Sequence, residues 1–301
     1  MSSPAVVVRV PAKVNLQLAV GPVREDGYHE LATVFHAVGL FDDVTAAPGT
    51  GITLTITGEG AAEVPTDSRN LAWKAAEALA RHAGIEPDAS LHLDKRIPVA
   101  GGMAGGSADA AGALLACDAL WQLGTPRQDL LHLAAGLGSD VPFALQGGTA
   151  IGTGRGEQLT PVLSSGSFHW VFALAEGGLA TPAVYAECDR LRAGLTVPNP
   201  YVSDMLMQAL RAGDPVLVGK ALNNDLQAAA VSLRPGLAGV LEFAEDFGAL
   251  GGIVSGSGPT CAFIVRDEAQ GVDLAVALSA SGLVRTVRTA TSPAPGARIV
   301  A

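Results

Sequence analysis

The segment Pro98-Val-Ala-Gly-Gly-Met-Ala-Gly-Gly-Ser-Ala-Asp-Ala-Ala111 constrains the fold of this chain more than any other. Its four glycines crowd a short stretch, and an alanine-rich run at helical spacing follows at once. A loop so poor in side chains lets backbone N–H groups approach a ligand closely. The helix behind it presents unpaired N–H donors and the positive end of its dipole. Together they make a site for phosphate. The loop lacks the Gly-Lys-[Ser/Thr] ending of a P-loop, so the usual nucleotide fold is not implied. A glycine-rich turn that simply feeds a helix is the plainer reading, and glycine count alone does not choose between the two.

The rest of the chain must bury such a loop. With 301 residues, 49% of them hydrophobic, there is material for one large domain or two ordinary ones. Lysine and arginine total 19 against 29 acidic residues, a net charge of -10. That balance argues against a nucleic-acid surface or an anionic membrane as partner. It leaves room for a nucleotide held locally by a loop and a helix end. Cys117, Cys188 and Cys261 show neither a Cys-x-x-Cys pair nor zinc spacing, and read as buried, reduced thiols. The six histidines form no His-Glu-x-x-His cluster. No apolar run reaches the length of a membrane span, and Met1 to Lys13 places its charges after its valines, the reverse of a signal peptide. The expectation is a soluble cytoplasmic protein, monomer or homodimer, with no metal site made by the protein alone.

Val6 to Val20 alternates apolar and polar residues and reads as a strand with Lys13 and Asn15 on one face. Gly27-Tyr28-His29 reads as a turn before a second strand over Ala32 to Val38, and Gly51 to Thr57 as a third strand. Leu71, Ala75, Ala78 and Leu79 recur at helical spacing, with Gly84 placed to stop that helix. Leu91 to Leu93 leads into the glycine loop. Beyond the loop, Leu114, Cys117 and Trp121 share a helical face, Gly124 ends the helix, and Thr125-Pro-Arg-Gln128 reads as an N-cap with a capping box. A short helix is expected near Ser139-Asp140 and a hairpin within Gly147 to Glu157. Composition shifts over Pro161 to Gly166, the best place for a domain boundary. Then follow a strand over Phe168 to Ala175, a helix from Thr181-Pro182, and several helices between Tyr201 and Phe247. Strands are read at Ile253-Val254, Cys261 to Val265 and Leu283 to Val287, and a loose tail from Thr291 to Ala301. Both halves mix strands and helices without a βαβ rhythm, so the class is α+β.

Four motifs then occur in order: Pro11-Ala-Lys-Val-Asn15, the glycine loop, Gly138-Ser-Asp-Val-Pro142 and Gly256-Ser-Gly-Pro-Thr260. This set resembles the GHMP small-molecule kinases over nearly the whole chain. Pro11 to Asn15 followed by Asp26-Gly-Tyr-His29 is similar to the branch that acts on a cytidine-diphosphate-linked methylerythritol. The resemblance implies a ribosomal protein S5 domain 2-like N-terminal domain over 1–160 and a ferredoxin-like C-terminal domain over 161–301, with the active site between them. It implies transfer of the ATP γ-phosphoryl group to a tertiary alcohol, with Mg²⁺. Asp140 would accept the hydroxyl proton and Lys13 would hold Asp140 ionised and the hydroxyl in place. Pro98, Ala100, Gly101, Gly102, Met103, Ala104, Gly105 and Gly106 would cradle the triphosphate, with Ser107 near the phosphates and Mg²⁺. The Gly256 to Thr260 segment would pack its backbone on that loop. Lys95 and Asn70 would lie near the adenine. Asn15, Tyr28, His29 and Tyr185 would bind the second substrate, the aromatic rings stacking on cytosine and the histidine hydrogen-bonding to it. Ala100 and Ala104 stand where the family usually has Gly, Met103 where it has Leu, and Ala108 where a second Ser often lies; these departures bear on the metal more than on the nucleotide.

Each residue also has a plainer reading. Asp140 suits a helix N-cap, Lys13 a strand-edge charge, Lys95 a solvated lysine and Asn70 a helix cap. Tyr28-His29 and Tyr185 suit ordinary packing. Rival functions are a GHMP kinase for mevalonate or homoserine, which carry no base to stack, and an inactive binding protein on the same fold. An NAD-dependent oxidoreductase needs Gly-x-Gly-x-x-Gly spacing, which Gly102 to Gly106 fits poorly.

Overall fold

The computed structural model describes residues 5–99 and 101–301. Strands β1 (Val6–Val23) and β2 (His29–Ala47) form one long antiparallel hairpin, paired from Val6 opposite Ala46 to Val23 opposite His29. The turn is an Asx-type closure: Asp26 Oδ1 accepts from Tyr28 N at 3.0 Å, and Gly27 takes a positive φ of 80°. Next come β3 (Ile52–Gly58), α1 (Leu71–Ala83), β4 (Ala89–Lys95), α2 (Gly105–Leu120), α3 (Arg127–Leu137), α4 (Val141–Gln146), β5 (Thr149–Gly154) and β6 (Gln158–Pro161). β2 is long enough to pair β4 through Asp43 to Ala47 and β5 through Leu31 to His36.

The alternation in β1 predicts one wet face, yet the strand is buried from Val10 to Gly21. One face is covered by α2, where Gly112 makes the approach possible: a Cβ there would stand 2.5 Å from Val44 and 2.8 Å from Val10. The polar face is buried as well, and at Gln17 it is satisfied by the second half of the chain. Gln17 donates to Tyr201 O at 2.6 Å and accepts from Ser203 N at 2.9 Å. Burial without such partners would cost ~1–3 kcal/mol per group.

The ends of α1 follow the sequence: Asn70 caps it through Ala72 N at 2.8 Å, and Gly84 closes it in the left-handed region. The start of α3 does not. Pro126, not Thr125, is its N-cap, and no side chain caps it. Thr125 is instead held by its backbone N–H on Asp118 Oδ1 at 2.9 Å, so a tertiary contact overrides the capping box.

The second half holds β7 (Phe168–Leu174), α5 (Thr181–Leu191), α6 (Asp204–Ala212), α7 (Pro215–Ala221), β8 (Asn223–Asn224), α8 (Gln227–Leu233), α9 (Gly236–Asp246), β9 (Gly251–Val254), β10 (Thr260–Val265), α10 (Glu268–Ala280), β11 (Thr286–Ser292) and β12 (Arg298–Ile299). Its sheet runs β11-β7-β10-β9, every pair antiparallel. Strand, helices, two strands, helix and strand in that chain order, laid out as this antiparallel sheet, make the ferredoxin-like arrangement. α10 escaped the sequence reading, and the last strand expected over Leu283 to Val287 lies at Thr286–Ser292.

The tail is not loose. Ala294 N donates to Ala37 O at 2.8 Å, Ala297 N to Ala144 O at 3.0 Å, and Val300 N to Val7 O at 2.8 Å. β12 thereby adds a strand to the first sheet, antiparallel to β1. A buried polar seam closes the same junction. His36 of β2 sits 2.8 Å from Thr149 Oγ1 through Nδ1 and 2.7 Å from Ser292 Oγ through Nε2, and Trp170 Nε1 donates to the same Ser292 oxygen at 2.8 Å.

Candidate active site

Lys13 projects from β1 with its ammonium buried, donating to Asn15 Oδ1 at 2.6 Å. Asn15 passes the chain on through Nδ2 to Thr33 Oγ1 at 2.8 Å, and Thr33 donates to Gln17 O at 2.7 Å. Lys13 Nζ also lies 3.7 Å from Asp140 Oδ2 and 5.9 Å from the Phe35 ring centroid. Asp140 precedes α4 without capping it by its side chain. The first turn of that helix is closed by backbone alone, Ala144 N donating to Asp140 O at 3.1 Å, while Pro142 brings no N–H to satisfy. The carboxylate is left free to face Lys13. A buried cation two residues from a fixed amide, with one carboxylate opposite, can orient a hydroxyl and receive its proton.

The glycine loop crosses directly beside this pair. Lys13 N donates to Met103 O at 3.2 Å, tying loop to strand. Ser255 Oγ donates to Gly102 O at 3.2 Å. Gly102 has φ +71°, and a Cβ there would stand 2.6 Å from Ser255 O and 2.9 Å from Gly258 O. The Gly256 to Thr260 segment thus packs its backbone on the loop. It is itself held by Asn224, whose Nδ2 donates to Val254 O at 2.8 Å and Gly256 O at 2.7 Å. Behind the loop α2 starts on Ala104, in the left-handed region at φ 60° with no side-chain cap. The first-turn N–H groups are therefore open to a ligand. Gly102→Ala is expected to cost about 2–3 kcal/mol of unfolding free energy, read by urea melts, because both the strained φ and the backbone clash are engaged. A change under about 0.5 kcal/mol would mean the two loops part freely.

One cavity of about 910 Å³ runs from this loop past Lys13 and Asp140 to Tyr28, His29 and Tyr185. Tyr28 is exposed at the hairpin tip, with the Arg155 guanidinium 5.1 Å from its ring centroid. His29 is buried at the start of β2, its Nδ1 2.9 Å from Gly21 O. Its ring lies 5.2 Å from that of Tyr185 at an interplanar angle of 30°. Burial, with Asp140 next in effect, pushes the Tyr185 phenol up from its ordinary range.

Comparison with known proteins decides the assignment. Residues 70–148 match the family described as GHMP kinases N terminal domain, and residues 206–282 that described as GHMP kinases C terminal. A 4-diphosphocytidyl-2-C-methyl-D-erythritol kinase of Mycobacterium tuberculosis is 58% identical over 98% of this chain and 93% of its own. One of Streptomyces avermitilis is 59% identical over 98% of this chain and 100% of its own. The chain belongs to the GHMP kinases. A solved 4-(cytidine 5'-diphospho)-2C-methyl-D-erythritol kinase superposes with a TM-score of 0.78 at 32% identity, covering 94% of this chain and 98% of that one. The two-domain architecture of GHMP kinases is therefore the architecture here, and the protein is a small-molecule kinase that uses ATP.

Within this GHMP kinase, the structure chooses between the readings given for several residues, and for Asn70 it supports the helix cap. Asn70 is spent on capping α1 and on Pro65 O at 2.8 Å, and it is not among the residues lining the cavity. Met103 is fully buried in the core and offers the loop only its backbone. Ala100 lies outside the described residues. Lys95 does line the cavity, but it is no solvated lysine: it is buried between Asp42 and Asp109, donating to Asp109 Oδ2 at 2.6 Å and to Asp42 Oδ2. Asp42 Oδ1 also accepts from Arg96 N at 2.6 Å and Ile97 N at 2.8 Å. A Cβ on Gly105 would stand 3.4 Å from Lys95 Nζ, so the triad braces the floor of the phosphate loop. Burial pushes the Asp109 carboxyl up, against the pull of Lys95 and with the push of Asp42. Arg155, Asn224, Asp42 and Asp109 were all missed in the sequence. Asp109 left a signal, an acid in the alanine-rich start of α2, whereas Asp42 is one of two adjacent acids in β2.

Proposed function

We propose that this kinase transfers the γ-phosphoryl group of ATP to the 2-hydroxyl of 4-diphosphocytidyl-2-C-methyl-D-erythritol, giving the 2-phosphate and ADP in non-mevalonate isoprenoid precursor synthesis. The observation that carries the reading is the single cavity that joins a phosphate-binding loop, the Lys13–Asp140 pair and an aromatic–histidine platform. The names of the relatives at 58% and 59% identity agree with it.

The roles follow from the geometry. Pro98, Gly101, Gly102, Ala104, Gly105, Gly106 and Ser107 line the end of the cavity that takes the triphosphate, on the open N-terminus of α2. Asp140 hydrogen-bonds the acceptor hydroxyl and takes its proton late, since the transition state is loose and an alcohol is too weak an acid to ionise beforehand. Lys13 places its charge 3.7 Å from the Asp140 carboxylate, with its own orientation set by Asn15. Tyr28 and Tyr185 offer ring faces to the base, with His29 at its edge. Arg155, a cavity-lining cation with no carboxylate partner among the described residues, supplies positive charge on the wall beside Tyr28. Among the described residues no three His, Cys, Asp or Glu side chains gather as a metal site. The half-buried Ser107 hydroxyl at the helix start fits Mg²⁺ that arrives on ATP, which needs only one or two protein oxygens beside the phosphates. That ion supplies charge neutralisation on the transferred group. The two domains divide near residues 160 and 161. Three free, buried cysteines, and the lack of any described helix long and apolar enough to cross a membrane, support a cytoplasmic setting.

ADP release from Mg-ATP, measured with the cytidyl substrate beside mevalonate and homoserine, tests the reading. Turnover is expected with the cytidyl compound alone. Turnover with either other alcohol refutes the base platform, and no turnover with any acceptor from folded protein refutes the kinase assignment of this site.

A further inference from the structure

Asp189 lies on α5 one turn beyond Tyr185, so both side chains leave the same helix face, and both line the cavity. Its Oδ2 stands 3.4 Å from His29 Nε2. Its neighbours are otherwise engaged: Arg190 pairs with Glu187 at 2.6 Å, and Arg192 with Asp225 at 2.9 Å. Among the described residues Asp189 has no lysine or arginine partner.

The tautomer of His29 makes this pairing informative. Gly21 O, 2.9 Å from Nδ1, can only accept, so Nδ1 carries the hydrogen. In the neutral imidazole Nε2 is then a lone pair, and it faces a carboxylate oxygen. With the imidazole in that neutral form, two acceptors meet at the wall of a ligand cavity with no donor between them. A ligand that brings an N–H₂ group satisfies both at once. A ligand that brings a carbonyl oxygen to the same place meets two acceptors and loses its hydration for nothing.

We propose that Asp189 selects the base of the second substrate, its carboxylate accepting from the exocyclic 4-amino group of cytosine beside His29 Nε2 and so rejecting uracil. The assignment rests on the cytidyl reading of the cavity and names the residue that discriminates within it. A flat ring between Tyr28 and Tyr185 presents its amine edge to Asp189 and its sugar toward Asp140. Because the Asp189 side chain is 46% exposed, the preference it carries falls at the lower end of the range for a charge-assisted hydrogen bond, about tenfold.

Calorimetric binding of CDP and UDP to the intact enzyme tests the proposal. The wild type is expected to prefer CDP. Asp189→Asn is expected to reduce that preference about tenfold, partly by gain of UDP binding, since an amide can turn its N–H toward O4. Asp189→Ala is expected to weaken CDP about tenfold without that gain, and KM for ATP stays within twofold in both variants. A CDP analogue lacking the 4-amino group is expected to bind wild type and Asp189→Ala equally, which separates a lost contact from a distorted site. A CDP-to-UDP ratio in Asp189→Asn within about twofold of wild type overturns the proposal, and leaves Asp189 as a pairing partner for an imidazolium. A wild type that binds CDP and UDP alike overturns the base site itself and this assignment with it. The variant series and the wild-type ratio keep those two failures apart.

Discussion

Asp140→Asn is expected to lower kcat about a thousandfold while binding of ATP and of the cytidyl substrate stays within a few-fold. The substitution is isosteric, so the acceptor hydroxyl keeps a hydrogen-bonding partner in place; only the proton acceptor is removed. Lys13 keeps Asn15 as its close partner at 2.6 Å, and the Asp140 contact it loses is the longer one, at 3.7 Å. The fold has little stake in the carboxylate. It caps no helix, and its side chain is 31% exposed, so the melting temperature is expected to move by no more than one or two degrees. Single-turnover phosphorylation, paired with calorimetric titration of each ligand, reads the split. A kcat within tenfold of wild type would remove Asp140 as the base and leave positioning by Lys13 and the loop as the whole of catalysis. A collapse in binding instead would mean that the side chain holds substrate rather than receives its proton.

The site was legible in the sequence wherever chemistry depends on near neighbours. The glycine loop with its helix, the Lys13-x-Asn15 step along one strand face, and the Gly27 turn that presents Tyr28 are all set by spacings of a few residues. The structure puts each of them in one cavity. What was not legible depends on charge or backbone brought from far away. Lys95 read equally well as a solvated lysine, because nothing local says that Asp42 and Asp109, on a different strand and on the next helix, will bury it. Thr125 scored as a cap because the capping box is a local rule, and Asp118 won the contest for its backbone N–H from the preceding helix. The Pro, Gly and Ala content of the last residues has no periodicity. Its strand exists only because β1 offers an unpaired edge for Arg298 and Ile299.

His36 is equally invisible to a local rule, and it predicts how the enzyme fails in acid. Complete burial holds its imidazole neutral and lowers its pKa to about 3, while in the unfolded chain it titrates near its ordinary value of 6.5. Between those two values the unfolded chain binds a proton that the folded chain refuses, so stability is lost as pH falls below about 6.5 and the loss runs on toward pH 3. At pH 4.5 the cost reaches about 2.5 kcal/mol relative to neutral pH, a large share of the stability of an ordinary domain. Among the described residues no acid pairs with it, for its partners are the Thr149 and Ser292 hydroxyls, backed by the rings of Phe168 and Trp170. His36→Gln keeps a donor and an acceptor between those hydroxyls and cannot take the proton. The variant is expected to be less stable than wild type at pH 7.5, through imperfect packing, yet to lose less stability on acidification. Urea melts of both proteins from pH 7.5 to pH 4.5 measure the difference, and carboxylate titration common to the two cancels. The gap between the proteins should close by about 2 kcal/mol over that range; parallel curves would mean that His36 gains access to a proton without unfolding. Because the ring joins β2 and β5 to β11, the first acid-induced opening is expected where the C-terminal sheet meets the N-terminal one, and hydrogen exchange at Ala294, whose N–H donates to Ala37 O at 2.8 Å, should rise before exchange within β1.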